Sequence, residues 1–250
     1  MGEKINEKKT KKVFILLFFC GIIKKTKSED AMISYVDVKN NENVKALVKA
    51  ADETLSALGY TEHGVGHLER VARSVGYILS SLGFDEHEIE IGRIAGYLHD
   101  IGNAVNRVDH SQSGAILAYS LLDKMGMPVS DIAPIISAIG NHDEGTGSPV
   151  SALAAALIIA DKSDVCAQRV RSTDIDADDI HDRVNYSVKS YDLCIDKESG
   201  TLSVAFVSDL SLASVMDFFE IFTERMILCK KACEKLGLSF SVLINGERVA

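Results

Sequence analysis

From Val44 to Cys166, apolar side chains recur at steps of three and four, the spacing that places them on one face of an α-helix. Val44, Leu47, Val48, Ala51, Leu55 and Leu58 form the first stripe, which Asn41 or Asn43 can cap and Gly59 stops. A second helix is predicted from about Glu62, with Val71, Val75, Ile78, Leu79 and Leu82 inward and Gly83 as its stop. Asp85 caps a third, which carries Ile91, Ile94, Ala95, Leu98 and Ile101. A fourth covers about His110 to Lys124, and a fifth about Ser130 to Asn141 with Pro134 in its first turn. The loop Gly145-Thr146-Gly147-Ser148-Pro149 leads to a sixth, Val150 to Cys166. That helix is apolar nearly all round, as a central buried helix is.

After about residue 185 the period drops to two. Tyr191, Leu193 and Ile195 alternate with polar residues, as do Leu202, Val204 and Phe206, and Asp196 to Gly200 reads as the hairpin turn between them. A helix from about Ser211 to Leu236 and a strand from Phe240 to Ile244 follow. The expected fold is therefore mainly α, a helical bundle with a small C-terminal α+β (β-β-α-β) unit. That unit is short for an independent domain and is expected to pack on the helical body. The expected organisation is a leader or upstream segment over 1–31, a helical body over 32–184 and the α+β unit over 185–250. No internal repeat is present.

The basic N-terminus changes the picture at one end. Lys8, Lys9, Lys11 and Lys12 precede the apolar run Val13 to Ile23, which Lys24 and Lys25 close. The run is too short for a stable membrane span, which needs about 20 residues. It matches the core of a signal peptide but lacks a small-x-small cleavage site, and Phe19 spoils the lipoprotein box before Cys20. A translation start at Met32, or a disordered leader, is favoured over export. The chain carries a net charge of −9, and residues 1–30 hold eight Lys against four acids, so the rest is more acidic still. Such a body does not favour nucleic acid, but it admits a small phosphorylated substrate if a bound metal inverts the local field. Five cysteines, an odd number, imply no disulfide framework, and a reducing cytoplasm fits. Cys229 and Cys233 read as buried small hydrophobes. Asp174, Asp176, Asp178 and Asp179 lack the Gly and Glu of a calcium loop and read as a solvated, helix-capping loop.

The chain has seven histidines, and the candidate chemistry rests on their placement. His99-Asp100 follows an apolar helix face, where an ionised carboxylate needs a partner. His67 lies one turn before Val71 on an inward stripe, and Asp161 lies one turn after Leu157 on the most apolar helix. His110 opens one helix and His142 closes another, so both can face a common centre. Four imidazoles and two carboxylates on a helical bundle suit one or two borderline transition metals. Lys162 adjoins Asp161, and Arg169 and Arg171 follow it and could clamp phosphate. His63, one turn before His67 with Gly64 and Gly66 beside it, is a candidate substrate contact, ligand or proton donor. His87 and His181 are assigned to the surface, and Asp143 and Glu144 to the loop.

His67 in His67-Leu68-Glu69-Arg70-Val71, then His99-Asp100, then Ala160-Asp161-Lys162 resembles the HD-domain metal-dependent phosphohydrolases over about residues 60–171. The resemblance implies an all-helical core. It implies one metal on His67, His99, Asp100 and Asp161, with Asp100 bridging to a second on His110 and His142. The ions would be divalent, two of Mn, Fe, Ni or Zn. It implies hydrolysis of a phosphate ester or anhydride of nucleotide-like type. Asn141-His142-Asp143-Glu144-Gly145 lacks the paired His and Gly-Tyr-Pro signature of the cyclic-dinucleotide branch. The order of motifs looks closer to the dinucleoside-tetraphosphate hydrolases. Two alternatives stay open: a mixed-valent di-iron oxygenase with the same ligands, and a non-catalytic nucleotide-binding regulator. The C-terminal unit could then serve as an interaction surface or the interface of a homodimer; otherwise it is expected to be structural or to shape the pocket's rim.

Overall fold

Most helices begin where a side chain can take up unpaired backbone N–H groups. Ser34, Asn41, Asp85, Ser151, Asp179 and Ser214 each accept from an N–H two or three residues ahead. The computed structural model describes residues 32–171 and 179–250, and its compact unit runs from Ile33 to Ala250. The leader expected over 1–31, and Asp174, Asp176 and Asp178, lie outside the described residues. Among the described residues there are nine α-helices. They are α1 (Tyr35–Asn40), α2 (Glu42–Ala57), α3 (Val65–Ser81), α4 (Glu86–Leu98), α5 (His110–Met125), α6 (Val129–Gly140), α7 (Ala152–Lys162), α8 (Ile180–Ser187) and α9 (Val215–Lys235). Short 3-10 turns cover Ile101–Ala104 and Ala167–Arg169.

The strands are β1 (Val188–Asp196), β2 (Thr201–Ser208), β3 (Ser239–Ile244) and β4 (Glu247–Arg248), in one sheet of order β1-β2-β3-β4. β1 and β2 form an antiparallel hairpin, with Leu193 opposite Val204. β3 pairs parallel to β2, so the chain crosses over through α9 between them. The fold is mainly α with a small C-terminal α+β unit.

Helix α7 is the centre. Every residue from Ala154 to Lys162 is buried, and α3, α4, α6 and α9 all pack against it. Burying Leu157, Ile158 and Ile159 contributes roughly 1.5–3 kcal/mol each, which helps hold the charged Asp161-Lys162 end inside. α3 and α4 lie unusually close because Gly96 faces the Ala72 backbone: a Cβ there would stand 2.8 Å from the Ala72 Cα.

Several boundaries differ from the periodic reading. α3 starts at Val65 rather than Glu62, because the Glu62 N–H donates to the Arg169 carbonyl and the His63 N–H to Asp52. The third helix ends at Leu98, and the chain tightens into the 3-10 turn after Asp100. α7 ends at Lys162 rather than Cys166, and α9 starts at Val215 because Ser214, not Ser211, caps it. Pro134 lies inside α6, past its first turn. No helix among the described residues is long and apolar enough to cross a membrane.

Gly96→Ala is expected to destabilise the fold by about 1–3 kcal/mol, since the clash is with backbone that cannot swing aside. Urea unfolding checks it; an unchanged midpoint would show that the α3–α4 contact is not tight.

Candidate metal centre

The centre is assembled from five segments. His67 lies in the first turn of α3, His99 and Asp100 just past α4, His110 at the start of α5, His142 just past α6 and Asp161 near the end of α7. All six side chains are buried. Their convergence depends on one close approach. Gly102 in the 3-10 turn lies against the start of α5, and a Cβ there would overlap the His110 carbonyl oxygen. Asp109, in the left-handed region at φ 57°, turns the chain so that His110 leads the helix.

Each imidazole is oriented by a partner on its Nδ1. His67 donates to Asp164 Oδ2 at 2.6 Å, His99 to the Gly96 carbonyl at 2.8 Å, His110 to the Arg107 carbonyl at 3.1 Å and His142 to the Ile139 carbonyl at 2.6 Å. Those partners accept hydrogen bonds, so they assign the proton to Nδ1 in the neutral ring and leave a lone pair on every Nε2. The Nε2 atoms then face one another, His67 with His99 at 3.2 Å and His110 with His142 at 3.2 Å.

Two lone pairs at that distance repel unless a proton or a metal cation lies between them. Ligands held about 2.0–2.1 Å from one ion at roughly right-angled to tetrahedral spacing are about 2.8–3.4 Å apart. The donor separations therefore fit shared metal ions. Asp161 Oδ1 is 3.3 Å from His67 Nε2 and 3.4 Å from His99 Nε2. Asp100 faces both halves: Oδ2 is 3.4 Å from His99, and Oδ1 is 3.4 Å from His110 and 3.8 Å from His142. His67, His99 and Asp161 form one buried set that could hold an ion, and His99, Asp100 and His142 form another. Asn103 donates to Asp100 Oδ1 at 3.0 Å and steadies that carboxylate.

The electrostatics agree with this need for positive charge. Burial disfavours the His99 imidazolium, yet the carboxylates of Asp100 and Asp161 outweigh it and push His99 up to about 10. Burial also disfavours ionised Asp100 and Asp161, but His99 holds Asp100 well below the usual carboxylate range, and Lys162 and His99 do the same for Asp161. Burial, His99 and Lys162 push His142 down to about 3, which keeps it neutral.

His63, Lys162 and Arg169 line a narrow cleft beside the centre, together with Arg107 and Arg225. His63 Nδ1 donates to the Thr61 carbonyl at 2.7 Å, and burial and Arg169 hold its pKa well below the ordinary imidazole value. Lys162 Nζ is pinned 2.6 Å from Asp161 Oδ2 and 3.1 Å from Glu144 Oε2. Arg169 donates to the Glu62 and Asp164 carbonyls. Arg171 is not brought to the cleft. It pairs with Asp52 and donates to the Tyr60 and Thr61 carbonyls, because the chain turns away after α7. His87 pairs with Asp131 at the surface, and His181 is exposed.

Sequence reasoning missed Asp164, whose fully buried carboxylate is held by Arg70 at 2.7 and 2.9 Å while it orients His67. A signal existed: Asp164 follows Asp161 by three residues, and Arg70 follows His67 by three. It also missed Arg107 and Arg225, which no local pattern marks.

Asp164→Ala is expected to weaken uptake of Mn or Zn roughly 10–100-fold while the protein stays folded, because His67 loses its orienting acceptor. Metal titration followed by circular dichroism checks it; unchanged affinity would mean that Asp164 only buries Arg70.

Residues 64–167 match the family model of the HD domain. An uncharacterized protein of Methanocaldococcus jannaschii is 26% identical over 159 residues, 55% of this chain, and the match spans 61% of that relative's length. A solved structure of a predicted HD superfamily hydrolase from an uncultured Thermotogales bacterium is 28% identical, with a TM-score of 0.40, over 50% of this chain and 68% of that one. The HD-domain match covers the segment holding His67, His99-Asp100, His110, His142 and Asp161, so this stretch of the chain is similar to the HD domain.

Proposed function

We propose that this protein hydrolyses a phosphate ester or anhydride of a small, nucleotide-like substrate at a dinuclear metal centre. The observation that carries the reading is the pair of facing Nε2 atoms on either side of Asp100. His67, His99 and Asp161 would hold one ion and His110 and His142 the other, with Asp100 shared through its two oxygens. Divalent ions such as Mn, Fe, Ni or Zn supply Lewis acidity toward phosphoryl oxygens and lower the pKa of water.

The chain's own residues supply the rest. Asp164 fixes the His67 tautomer, and Lys162 keeps Asp161 aimed at the imidazoles. Arg169 sets a buried positive charge on the cleft wall, where phosphate charge would be neutralised. Hydrolysis adds a hydroxyl to phosphorus and a proton to the leaving oxygen. His63 is neutral near pH 7, with Nδ1 engaged by Thr61, so its Nε2 is available to take up and return that proton.

The test is phosphate release from a panel that includes p-nitrophenyl phosphate and nucleoside polyphosphates. Release is expected to require added metal, to stop with a chelator and to be lost in Asp100→Ala. His63→Ala is expected to keep its metal and lower kcat by about 10²–10⁴-fold. No turnover on the panel, with oxygen consumed over a polyol or phosphonate, would favour the di-iron oxygenase reading instead.

A further inference from the structure

Among the described residues, Glu144 is a carboxylate beside the cleft that pairs with Lys162 and Arg225 rather than with any of the six donors. It follows α6 in a loop with Gly145 and Gly147. Oε2 is 3.1 Å from Lys162 Nζ, and Oε1 is 2.8 Å from Arg225 Nε. The two cations come from different parts of the fold, Lys162 from the end of α7 and Arg225 from the middle of α9. The side chain of Lys162 is only 5% exposed. Both cations line the cleft shared with the metal centre, so they form a built receptacle for an anion with two oxygens.

The position of this receptacle says what it would take. Asp161 separates it from the centre by the width of one carboxylate: Oδ1 faces His67 and His99, and Oδ2 faces Lys162. Two phosphoryl groups joined by one bridging oxygen span a comparable gap. A monoester has only one phosphoryl group and cannot occupy both places.

We propose that Lys162 and Arg225 form an anion subsite beside the metal centre, that Glu144 fills it in the resting protein, and that the second phosphoryl group of a phosphoanhydride displaces the Glu144 carboxylate. The inference rests on the hydrolase reading above and narrows it to substrates with adjacent phosphoryl groups. It also gives the C-terminal unit a part in recognition, through Arg225. Exchange of one anion for another leaves the charge on the two cations balanced, so opening the loop leaves no buried cation unpaired.

The test is calorimetric titration of the metal-loaded protein with methylenediphosphonate, a diphosphate whose bridging carbon resists hydrolysis, with metal content checked after each run. Glu144→Gln removes the competing charge and is expected to bind the probe about tenfold tighter, while Arg225→Gln binds it about tenfold weaker. Inorganic phosphate, which needs only the centre, is expected to shift far less. Glu144→Asp is the second variant should Glu144→Gln not fold, because its shorter carboxylate cannot span both cations, and it too should bind tighter. Equal or weaker binding in the folded Glu144 variant would overturn the proposal and make Glu144 a fixed neutralising group. Metal-dependent phosphate release from a panel of nucleoside polyphosphates and p-nitrophenyl phosphate is measured alongside. Its absence, with the opposite shifts intact, removes the hydrolase reading and leaves the subsite. Its presence without those shifts removes the subsite alone.

Discussion

Four imidazole lone pairs and two carboxylates are buried facing one another, and that arrangement is tenable only around positive charge. The rest of the fold around the centre follows from it. Each ring is turned by an acceptor behind it, a backbone carbonyl for His99, His110 and His142 and the Asp164 carboxylate for His67. Asp164 needs its own counter-charge, and Arg70 supplies it. Asp161 is likewise backed by Lys162, and Lys162 by Glu144. The charges thus form alternating chains that run from the centre outward, so no ionised group in these chains is left alone in the interior.

Packing makes such a centre affordable. α7 contributes an unbroken apolar surface up to Ala160 and only then presents Asp161 and Lys162. Gly96 allows α3 and α4 to approach, which sets His67 against His99, and Gly102 allows the 3-10 turn to meet α5, which sets Asp100 against His110. The acidic balance of the chain is offset locally, because Arg107, Lys162, Arg169 and Arg225 all gather at the cleft. Arg225 comes from α9, so the C-terminal unit touches the cleft as well as packing on α7.

Helical periodicity made α2 to α7 readable, because each buries one stripe of apolar residues. It also placed the six donors, since His67 and Asp161 sit on those stripes and His99, His110 and His142 at helix ends. What periodicity could not show is pairing across the chain. His67 and Asp164 are 97 residues apart, and Arg225 and Glu144 lie on elements whose packing no local pattern specifies. Arg171 shows the same limit: it follows Asp161 closely in sequence but pairs with Asp52, whereas Arg169 lines the cleft. Short α1 escaped because six residues give too few repeats to declare a period.

We propose that the six donors hold metal, with Asp100 shared between two ions. Elemental analysis of the purified, Mn- or Fe-reconstituted protein tests it most directly, with wild type compared against His110→Ala. The account predicts about two ions per chain in the wild type and about one in the variant, which removes a ligand from only one half of the centre. A folded wild-type protein that takes up no metal at any concentration tested would contradict it.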